Sequence, residues 1–466
     1  MMGMGRTIGG IGAALAALVV AGCQNAPITP DNLMCDFRTI RLNVAIPVSR
    51  PADLAQRAPS PLAAEIEASL RAHDRLQLGE KASLLSLSGG SEHGAFGAGV
   101  FAGWGGDGNL PDFQVVTGIS TGSILATFAF VNDADGAVEG YTINSESELI
   151  DIYVKPKGGP NPTLEEVEGL ITHGAVASLE PLRKRLGSFI TDDVLAKVAS
   201  RHASGARLLV GATDADTGDA VAFDLGDMAA RYVKTAPDDE GRGLIKDCYL
   251  SAIIASSSTP LASPPAFIDN TMYIDGGTRF GLFGDSVIEA FYRRQQGLTD
   301  AYQLDEDEED NPLPVQSLAP IVYAIIDGTL QLPPRHCPKA DQSLCTAERP
   351  MGGRDGAHKD WNLLGLALNT KGILVNEVYR FSALSVAADA CEEAGCFNIL
   401  RIEPDVSDFE YIIPDANGVL VPANCPQWRQ VDIDLDHPVQ FHKRYMRCLI
   451  AYGEAQVQAA GWGAGS

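Results

Sequence analysis

Positive charge is scarce in this 466-residue sequence, which has 35 Lys and Arg against 60 Asp and Glu and a net charge of −25. Nucleic-acid binding needs clustered basic residues that contact phosphates, and no basic stripe interrupts the acidic pattern. The 48 Gly and 27 Pro follow no period, which excludes a collagen-like chain and a repeat array. With 45% hydrophobic residues the chain has enough apolar surface to fold, so disorder over its whole length is excluded as well.

Paired metal-ligand motifs are also lacking. No CxxC pair occurs, and His336 beside Cys337 has no matching second pair, which disfavours a zinc site. The acidic run from Asp305 to Asp310 lacks the glycine and the spacing of an EF-hand calcium loop. Its carboxylates repel one another, so residues 304–314 are predicted to be a solvated loop inserted into the fold.

The first 22 residues are predicted to lie outside the fold, as a secretory signal. Arg6 is the only charge, and small and apolar residues then continue to Cys23. The end of this stretch, Val20-Ala21-Gly22-Cys23, resembles the lipobox of bacterial lipoproteins. That resemblance implies a diacylglyceryl group on the Cys23 thiol after removal of residues 1–22, with an ordinary signal peptide as the alternative. Gln24 stands where an inner-membrane retention signal has aspartate, which implies the periplasmic face of the outer membrane.

Cysteine usage fits export to an oxidising compartment. An even number of cysteines follows Cys23, which suggests disulfides. Two pairs are close enough in sequence to close local loops, Cys337 with Cys345 and Cys391 with Cys396. The other four are Cys35, Cys248, Cys425 and Cys448.

The mature chain divides into a leading segment and one large domain. Residues 23–80 are predicted to be a Pro-rich tether followed by an amphipathic helix at 61–75. In residues 81–466, strands and helices alternate, which predicts an α/β fold with a mostly parallel sheet covered on both faces. The strands are predicted at 82–88, 113–118, 207–213, 220–224, 272–275, 320–327 and 397–402. The helices are predicted at 94–104, 121–131, 247–257, 360–390 and 437–460.

A G-x-S-x-G motif, Gly118-Ile119-Ser120-Thr121-Gly122, stands between a predicted strand and a predicted helix. That setting is typical of a nucleophile elbow, in which glycines permit a tight turn and the helix N-terminus favours developing negative charge near the serine. A structural turn is the alternative, because the motif also occurs by chance in glycine-rich chains.

Two further motifs lie at predicted strand ends. The first, Ser88 to Gly94 (SGGSEHG), follows the first core strand, and its backbone N–H groups could converge on an oxyanion. A phosphate-binding loop is disfavoured, because the P-loop Lys-Ser/Thr ending and the complete dinucleotide fingerprint are absent. The second, Asp275-Gly276-Gly277, ends a strand with a carboxylate that could accept the serine proton. A turn-capping aspartate is the alternative for this motif.

Together, these three motifs in this order resemble the patatin-like phospholipase family, from about Ser83 to Gly277. The segments Gly211 to Gly218 and Ala255 to Pro260 fit the same family. The resemblance implies a three-layer α/β/α fold and a Ser–Asp dyad that hydrolyses acyl esters through an acyl-enzyme, without a metal or other cofactor. The implied roles are nucleophile for Ser120, proton acceptor for Asp275, oxyanion hole for Gly89, Gly90 and Ser91, and motif support for His93, Gly94, Gly118, Gly122, Gly276 and Gly277.

Two residues depart from the family pattern in the oxyanion loop. Ser91 stands where the family typically has glycine, so a positive φ there would be costly. His93 stands where the family has Arg or Lys, so it supplies a donor without a permanent charge. A conventional Ser–His–Asp triad is the enzymatic alternative, with Asp214 or Asp224 as its acid. Its base would be one of the histidines that follow Ser120 in the chain: His173, His202, His336, His358, His437 and His442.

The expected function is a lipid-anchored serine acyl hydrolase that cleaves phospholipids or lysophospholipids at the membrane. The anchor would raise the local substrate concentration without a basic surface, which suits so acidic a protein. A carboxylesterase or thioesterase with the same dyad, and a non-catalytic lipoprotein that binds lipid or a protein partner, remain the alternatives.

Overall fold

The computed structural model describes residues 32–42, 58–78, 80–106, 110–153, 174–305, 319–328, 330, 363–390, 395–414 and 418–460. Within them the strands are β1 Asn32–Leu33, β2 Thr39–Arg41, β3 Ser83–Leu87, β4 Val115–Ile119, β5 Asp151–Ile152, β6 Ala177–Ser178, β7 Arg207–Asp214, β8 Ala220–Asp224, β9 Ala266–Ile268, β10 Thr271–Asp275, β11 Ile321–Ile326, β12 Phe397–Arg401, β13 Glu410–Pro414 and β14 Leu420–Asn424. The helices are α1 Pro61–Ala72, α2 Gly94–Gly106, α3 Thr121–Phe130, α4 Ala134–Tyr141, α5 Glu180–Phe189, α6 Asp192–Ala203, α7 Leu225–Lys234, α8 Glu240–Ser257, α9 Asp285–Asp305, α10 Leu363–Ala390, α11 Cys425–Asp436 and α12 Lys443–Ala460.

Ten strands form the main sheet, in the order β1-β9-β10-β7-β4-β3-β11-β12, with β8 also paired to β7 and β2 paired to β8. The centre of the sheet, from β7 through β4, β3 and β11 to β12, is parallel. Because parallel strands end at one edge, this arrangement brings the residues that follow β3, β4 and β11 together. The antiparallel strand β10 pairs with the far end of β7, with Asp275 opposite Ala212.

The central strands are buried on both faces, and their side chains alternate between two hydrophobic cores. Leu85 and Val116 point into a core that also contains side chains of α2, α3, α8 and α12. Their neighbours Leu84 and Val115 point into a second core, which contains side chains of α1, α9 and α10. Burial on both faces explains why these strands are continuous apolar runs rather than alternating ones. The predicted α/β fold with a mostly parallel central sheet is therefore confirmed.

The predicted elements did not include the helices α4, α5, α6, α7, α9 and α11. They also differ from the structure at the two ends of the described chain. Residues 32–42, within the predicted tether, contribute β1 and β2 to the main sheet. The helix predicted at 437–460 begins only at Lys443, because His437 ends the preceding helix in a left-handed conformation with φ 50°. The loop predicted at 304–314 begins inside α9, which ends at Asp305. Its residues 306–314, like residues 1–23, lie outside the described residues.

Two disulfides link distant parts of the fold. Cys35 is bonded to Cys248 of α8, which ties the N-terminal strands to the body, and Cys425 of α11 is bonded to Cys448 of α12. Cys396 is disulfide-bonded as well. Cys391, its predicted partner, and the predicted pair Cys337 and Cys345 lie outside the described residues.

In the part of the chain that the structure describes, no helix combines the length and the apolar character needed to cross a bilayer.

Candidate active site

The serine of the G-x-S-x-G motif lies at the turn between β4 and α3. Ser120 has φ 53° and ψ −124°, a strained backbone conformation for a residue other than glycine. The turn is so tight that a Cβ on Gly122 would lie 2.5 Å from the backbone oxygens of Leu87 and Ser88. A Cβ on Gly118 would lie 2.3 Å from the Gly122 oxygen. Both glycines are therefore required by close backbone approach, as in a nucleophile elbow.

Ser120 and Asp275, separated by 155 residues in sequence, are hydrogen-bonded in the structure. The Ser120 hydroxyl donates to Asp275 Oδ2 over 2.8 Å. Both side chains are buried, with Ser120 7% and Asp275 6% exposed. The contact follows from sheet register, because β4 and β10 pair with opposite ends of β7, which brings their last residues together.

The Asp275 carboxylate is held by two further donors. The Thr259 hydroxyl donates to Oδ2 over 2.7 Å, and the Gly277 N–H donates to Oδ1 over 2.7 Å. Gly276 allows the turn to pass the sheet, since a Cβ there would lie 2.7 Å from the Gly211 oxygen. These contacts orient the carboxylate toward Ser120, as a proton acceptor requires.

Hydroxyl residues at the C-terminal end of α8 form a support that the sequence motifs do not identify. Ser256 Oγ accepts the Ser120 N–H over 2.8 Å and donates to the Gly211 oxygen over 2.6 Å. It thereby fixes the backbone of the strained turn to the neighbouring strand β7. The only sequence signal was the run of serines and threonine from Ser256 to Thr259, which fits the family but carries no assigned role.

The glycine-rich loop after β3 lies directly against this serine. A Cβ on Gly89 would lie 2.8 Å from Ser120 Cβ, and one on Gly90 would lie 2.0 Å from the Asp327 backbone oxygen. Ser91 has φ 57°, so its backbone is in the left-handed region that is unfavourable for a residue other than glycine. Its hydroxyl accepts a hydrogen bond from Gln440 Nε2 over 2.7 Å, which helps to hold the loop in this conformation.

The two residues that close the loop are packed against other elements. His93 lines the cavity in front of Ser120, and its ring stacks edge-on against Tyr445 at 5.9 Å between centroids. Gly94 leaves room for Tyr141, since a Cβ on Gly94 would lie 2.6 Å from that ring. The loop is thus constrained by α4 on one side and by α12 on the other.

A buried ion pair joins the same loop to the C-terminal part of the chain. Glu92 Oε2 lies 2.7 Å from His442 Nδ1, and Glu92 Oε1 lies 3.2 Å from Arg429 Nε. Burial alone would raise the pKa of Glu92, but the hydrogen bond from His442 and the charges of His442, His93 and Arg429 outweigh it and lower the pKa below its ordinary value. We call Glu92, His442 and Arg429 the C-terminal clamp.

The described histidines do not form a triad with Ser120. His442 is only 3% exposed, and its Nδ1 is hydrogen-bonded to Glu92 Oε2 over 2.7 Å. His202 lies 3.6 Å from Asp224, and burial together with the charge of Arg207 lowers the pKa of this imidazole to about 4. His173, His336 and His358 lie outside the described residues.

A cavity of about 620 Å³ opens in front of Ser120. Ser120, Asp275 and the loop residues Gly89, Gly90 and Ser91 line it. The remaining wall is largely apolar and includes Ile124, Leu149, Ile150, Leu179, Leu182, Leu186 and Phe189. A few converging polar groups in a mostly apolar pocket are typical of a site for a ligand with a long hydrocarbon part.

Two residues of this site were absent from the sequence prediction. Asp327, directly after β11, is 3% exposed, and burial raises the pKa of its carboxyl well above its ordinary value. Its Oδ1 accepts the Gly97 N–H over 3.0 Å. Tyr379 of α10 packs against the glycine-rich loop, where a Cβ on Gly89 would lie 2.3 Å from the phenol oxygen. Neither residue belongs to a recognisable motif.

Comparison with known proteins gives one family. Residues 85–283 match the sequence model of the patatin-like phospholipase family. No curated protein sequence matches the chain. VipD from Legionella pneumophila is among the solved structures that match, with 13% sequence identity, 54% of this chain and 50% of VipD covered, and a TM-score of 0.27. The alignment therefore spans half the length of VipD and implies nothing about substrate or partners.

Proposed function

Residues 85–283 form a patatin-like phospholipase domain, and on this premise we propose that the protein is a serine acyl hydrolase that cleaves carboxylic esters of lipids. The observation that carries the proposal is the 2.8 Å hydrogen bond from the Ser120 hydroxyl to Asp275, both of which line a mostly apolar cavity. Proteins of this family act on lipid esters, and an apolar cavity of this size suits an acyl chain.

The reaction begins with proton transfer from Ser120. Asp275 accepts the hydroxyl proton as Ser120 Oγ attacks the ester carbonyl, which makes an otherwise weak nucleophile reactive. The backbone N–H groups of Gly89, Gly90 and Ser91 stabilise the oxyanion of the tetrahedral intermediate. The proton then passes to the leaving alcohol, and the acyl chain remains bonded to Ser120 Oγ.

Hydrolysis of the acyl-enzyme uses the same groups in reverse. Asp275 accepts a proton from water, the resulting hydroxide attacks the acyl carbon, and the bond to Ser120 Oγ breaks as the serine regains its proton. The hydrogen bonds from Thr259 and Gly277 keep the carboxylate in one orientation through both halves of the reaction.

Lipidation of Cys23 would place this site at its substrate. The lipobox-like sequence before Cys23 supports an anchor in the outer membrane, with the body facing the periplasm. The bonded cysteines Cys35 and Cys248 are consistent with that oxidising compartment. An anchored enzyme meets lipid without electrostatic attraction, so the net charge of −25 does not prevent approach to an anionic surface.

The experiment that tests the proposal is ester hydrolysis by the purified mature protein with two single variants. Ser120→Ala and Asp275→Asn should each lower turnover by roughly a thousandfold or more, because nucleophile and base act as a unit. Exposed controls of the same residue types, Ser188→Ala and Asp247→Asn, should retain wild-type rates.

The substrates in this experiment separate the alternative functions. A short p-nitrophenyl ester, an acyl-CoA and a phospholipid in mixed micelles distinguish an esterase, a thioesterase and a lipid hydrolase by their relative rates. Equal and negligible rates from the wild type and from Ser120→Ala, with both proteins folded, would reject the hydrolase in favour of a lipoprotein that binds lipid or a protein partner.

A further inference from the structure

The segment between α11 and α12 is fixed by hydrogen bonds to its backbone. Its residues 439–442 present four consecutive N–H groups to two carboxylates. The first three donate to Glu146 over 2.5–2.9 Å, and the fourth donates to Glu92 Oε2 over 3.0 Å. Hydrogen bonds to charged acceptors are stronger than those to neutral ones. The backbone of this segment is therefore held in place beside the glycine-rich loop.

The Gln440 side chain extends from this segment to the loop. Gln440 Nε2 donates to Ser91 Oγ over 2.7 Å, although 349 residues separate the two in sequence. Both residues line the cavity in front of Ser120. The Ser91 N–H is one of the three proposed oxyanion donors, so a contact that fixes Ser91 acts on a group that the reaction uses.

Ser91 needs such a contact because of its backbone conformation. Its φ is 57°, in the left-handed region where the backbone crowds a Cβ and where glycine carries no such penalty. Without support, a residue with a side chain would relax toward negative φ. Rotation about the N–Cα bond turns the Ser91 N–H relative to α2, which follows the loop. Because an oxyanion donor must be oriented before the reaction begins, this relaxation would weaken it.

We propose that Gln440 is a positioning residue of the oxyanion hole, whose hydrogen bond to Ser91 Oγ holds this serine at positive φ and so keeps its N–H directed at the ester carbonyl. The inference rests on the proposed function. It explains how serine can occupy a position where the family typically has glycine. The conformation that glycine adopts without cost is stabilised here by a hydrogen bond from a distant segment of the chain.

A direct contact of either side chain with the substrate is the competing role, since both residues line the cavity. In that role the side chains themselves matter, so Ser91→Gly would slow the reaction as much as Ser91→Ala. In the positioning role only the backbone conformation matters. Glycine adopts a positive φ without support, so Ser91→Gly should be faster than Ser91→Ala and should no longer depend on Gln440.

The first part of the experiment measures kcat and KM of the purified protein for a short p-nitrophenyl ester. Gln440→Ala should lower kcat and kcat/KM by the same factor, roughly two- to tenfold, the range for one hydrogen bond whose effect is confined to the transition state. Ser91→Ala should cause a similar loss, and the double variant should be no slower than the slower single variant, because both changes remove the same contact. In the Ser91→Gly background, Gln440→Ala should change kcat by less than about twofold.

The second part measures hydrogen exchange of the backbone amides in residues 88–94 of the same variants, with thermal unfolding to verify that each is folded. Gln440→Ala should exchange faster than the wild type in this loop, because a segment that loses a restraint opens more often. Gln430→Ala is the matched control, since its side chain donates a hydrogen bond of 2.8 Å to the exposed Asp434 of α11. This variant should leave both the loop exchange and the ester kinetics unchanged.

A change in kcat of less than about twofold for Gln440→Ala, or a loss of the same size in the Ser91→Gly background, would overturn the inference. Failure of the proposed function gives a different result, in which the wild type and Ser120→Ala hydrolyse the ester equally. Loop exchange alone then decides. Faster exchange in Gln440→Ala supports Gln440 as the residue that holds Ser91, and unchanged exchange overturns it.

Discussion

Removal of the Glu92 carboxylate is predicted to destabilise the protein and to slow its reaction. Glu92 follows the glycine-rich loop directly, is 5% exposed, and accepts hydrogen bonds from the backbone N–H and the ring of His442 and from Arg429. Glu92→Ala leaves His442, itself 3% exposed, without its carboxylate. Breaking a buried ion pair by deleting one partner typically costs about 3–5 kcal/mol.

The conservative variant Glu92→Gln should lower the free energy of unfolding by a smaller amount than Glu92→Ala. Glu92→Gln keeps an oxygen of similar shape that still accepts a hydrogen bond, so its cost should be nearer about 1.5–3 kcal/mol, the range for hydrogen bonds to charged groups. Since domains are stable by only about 5–15 kcal/mol, both losses are measurable. Loss of the Glu92 contacts should also shift the glycine-rich loop, and a displacement of about 1 Å in a catalytic site can lower the rate by up to about a hundredfold. We therefore expect kcat to decrease together with stability, from the wild type to Glu92→Gln and then to Glu92→Ala.

The assay is urea unfolding of the wild type and both Glu92 variants at neutral pH, with ester hydrolysis measured on the same samples. Glu180→Ala is the matched control, because its pairs with Arg183 and Lys184 are half exposed at 3.8–3.9 Å and should contribute less than about 1 kcal/mol. A free energy of unfolding for Glu92→Ala within about 0.5 kcal/mol of the wild type would refute the reasoning, since that is the range of neutral surface substitutions.

The remaining predictions concern disulfides and pH. Replacing Cys35 and Cys248 together by Ala should lower the free energy of unfolding by about 5 kcal/mol, because this disulfide closes a loop of 213 residues. Replacing Cys425 and Cys448 together by Ala should lower it by only about 3 kcal/mol, because their sequence separation is 23. Urea titrations that reverse this order would contradict the loop-entropy argument. Burial, partly opposed by Arg207, raises the pKa of Asp224 from 3.8 to about 6. The folded state therefore retains this proton longer than the unfolded state, so Asp224 should cause the free energy of unfolding to fall by up to about 3 kcal/mol as pH rises through this interval. Asp224→Asn should flatten that part of the stability–pH profile, and an unchanged profile would show that the carboxyl titrates normally.

Local sequence patterns were sufficient for the central strands of the sheet, but not for the helices α4, α5, α6, α7, α9 and α11. β8 was predicted with the bounds that the structure gives, Ala220–Asp224, and β3, β4, β7, β10, β11 and β12 differ from their predictions by one or two residues at either end. Apolar runs bounded by glycines are local signals, so they predict strands without knowledge of the partners. The prediction was less accurate at the C-terminus, where the break at residues 437–442 depends on contacts with Glu92 and Glu146 rather than on the segment itself.

The sequence by itself determined the turn that presents Ser120. A tight turn between a strand and a helix requires small residues on both sides of the serine, and the G-x-S-x-G motif supplies them within five residues. It also supplied Asp275 as a candidate, but only the tertiary structure brought the two side chains to 2.8 Å, through the register of β7 with β4 and β10. The tertiary structure alone also determined the C-terminal clamp on the loop and the contact of Tyr379 with Gly89. These residues have no local motif, since their role arises from packing between segments hundreds of residues apart, which no single stretch of sequence encodes.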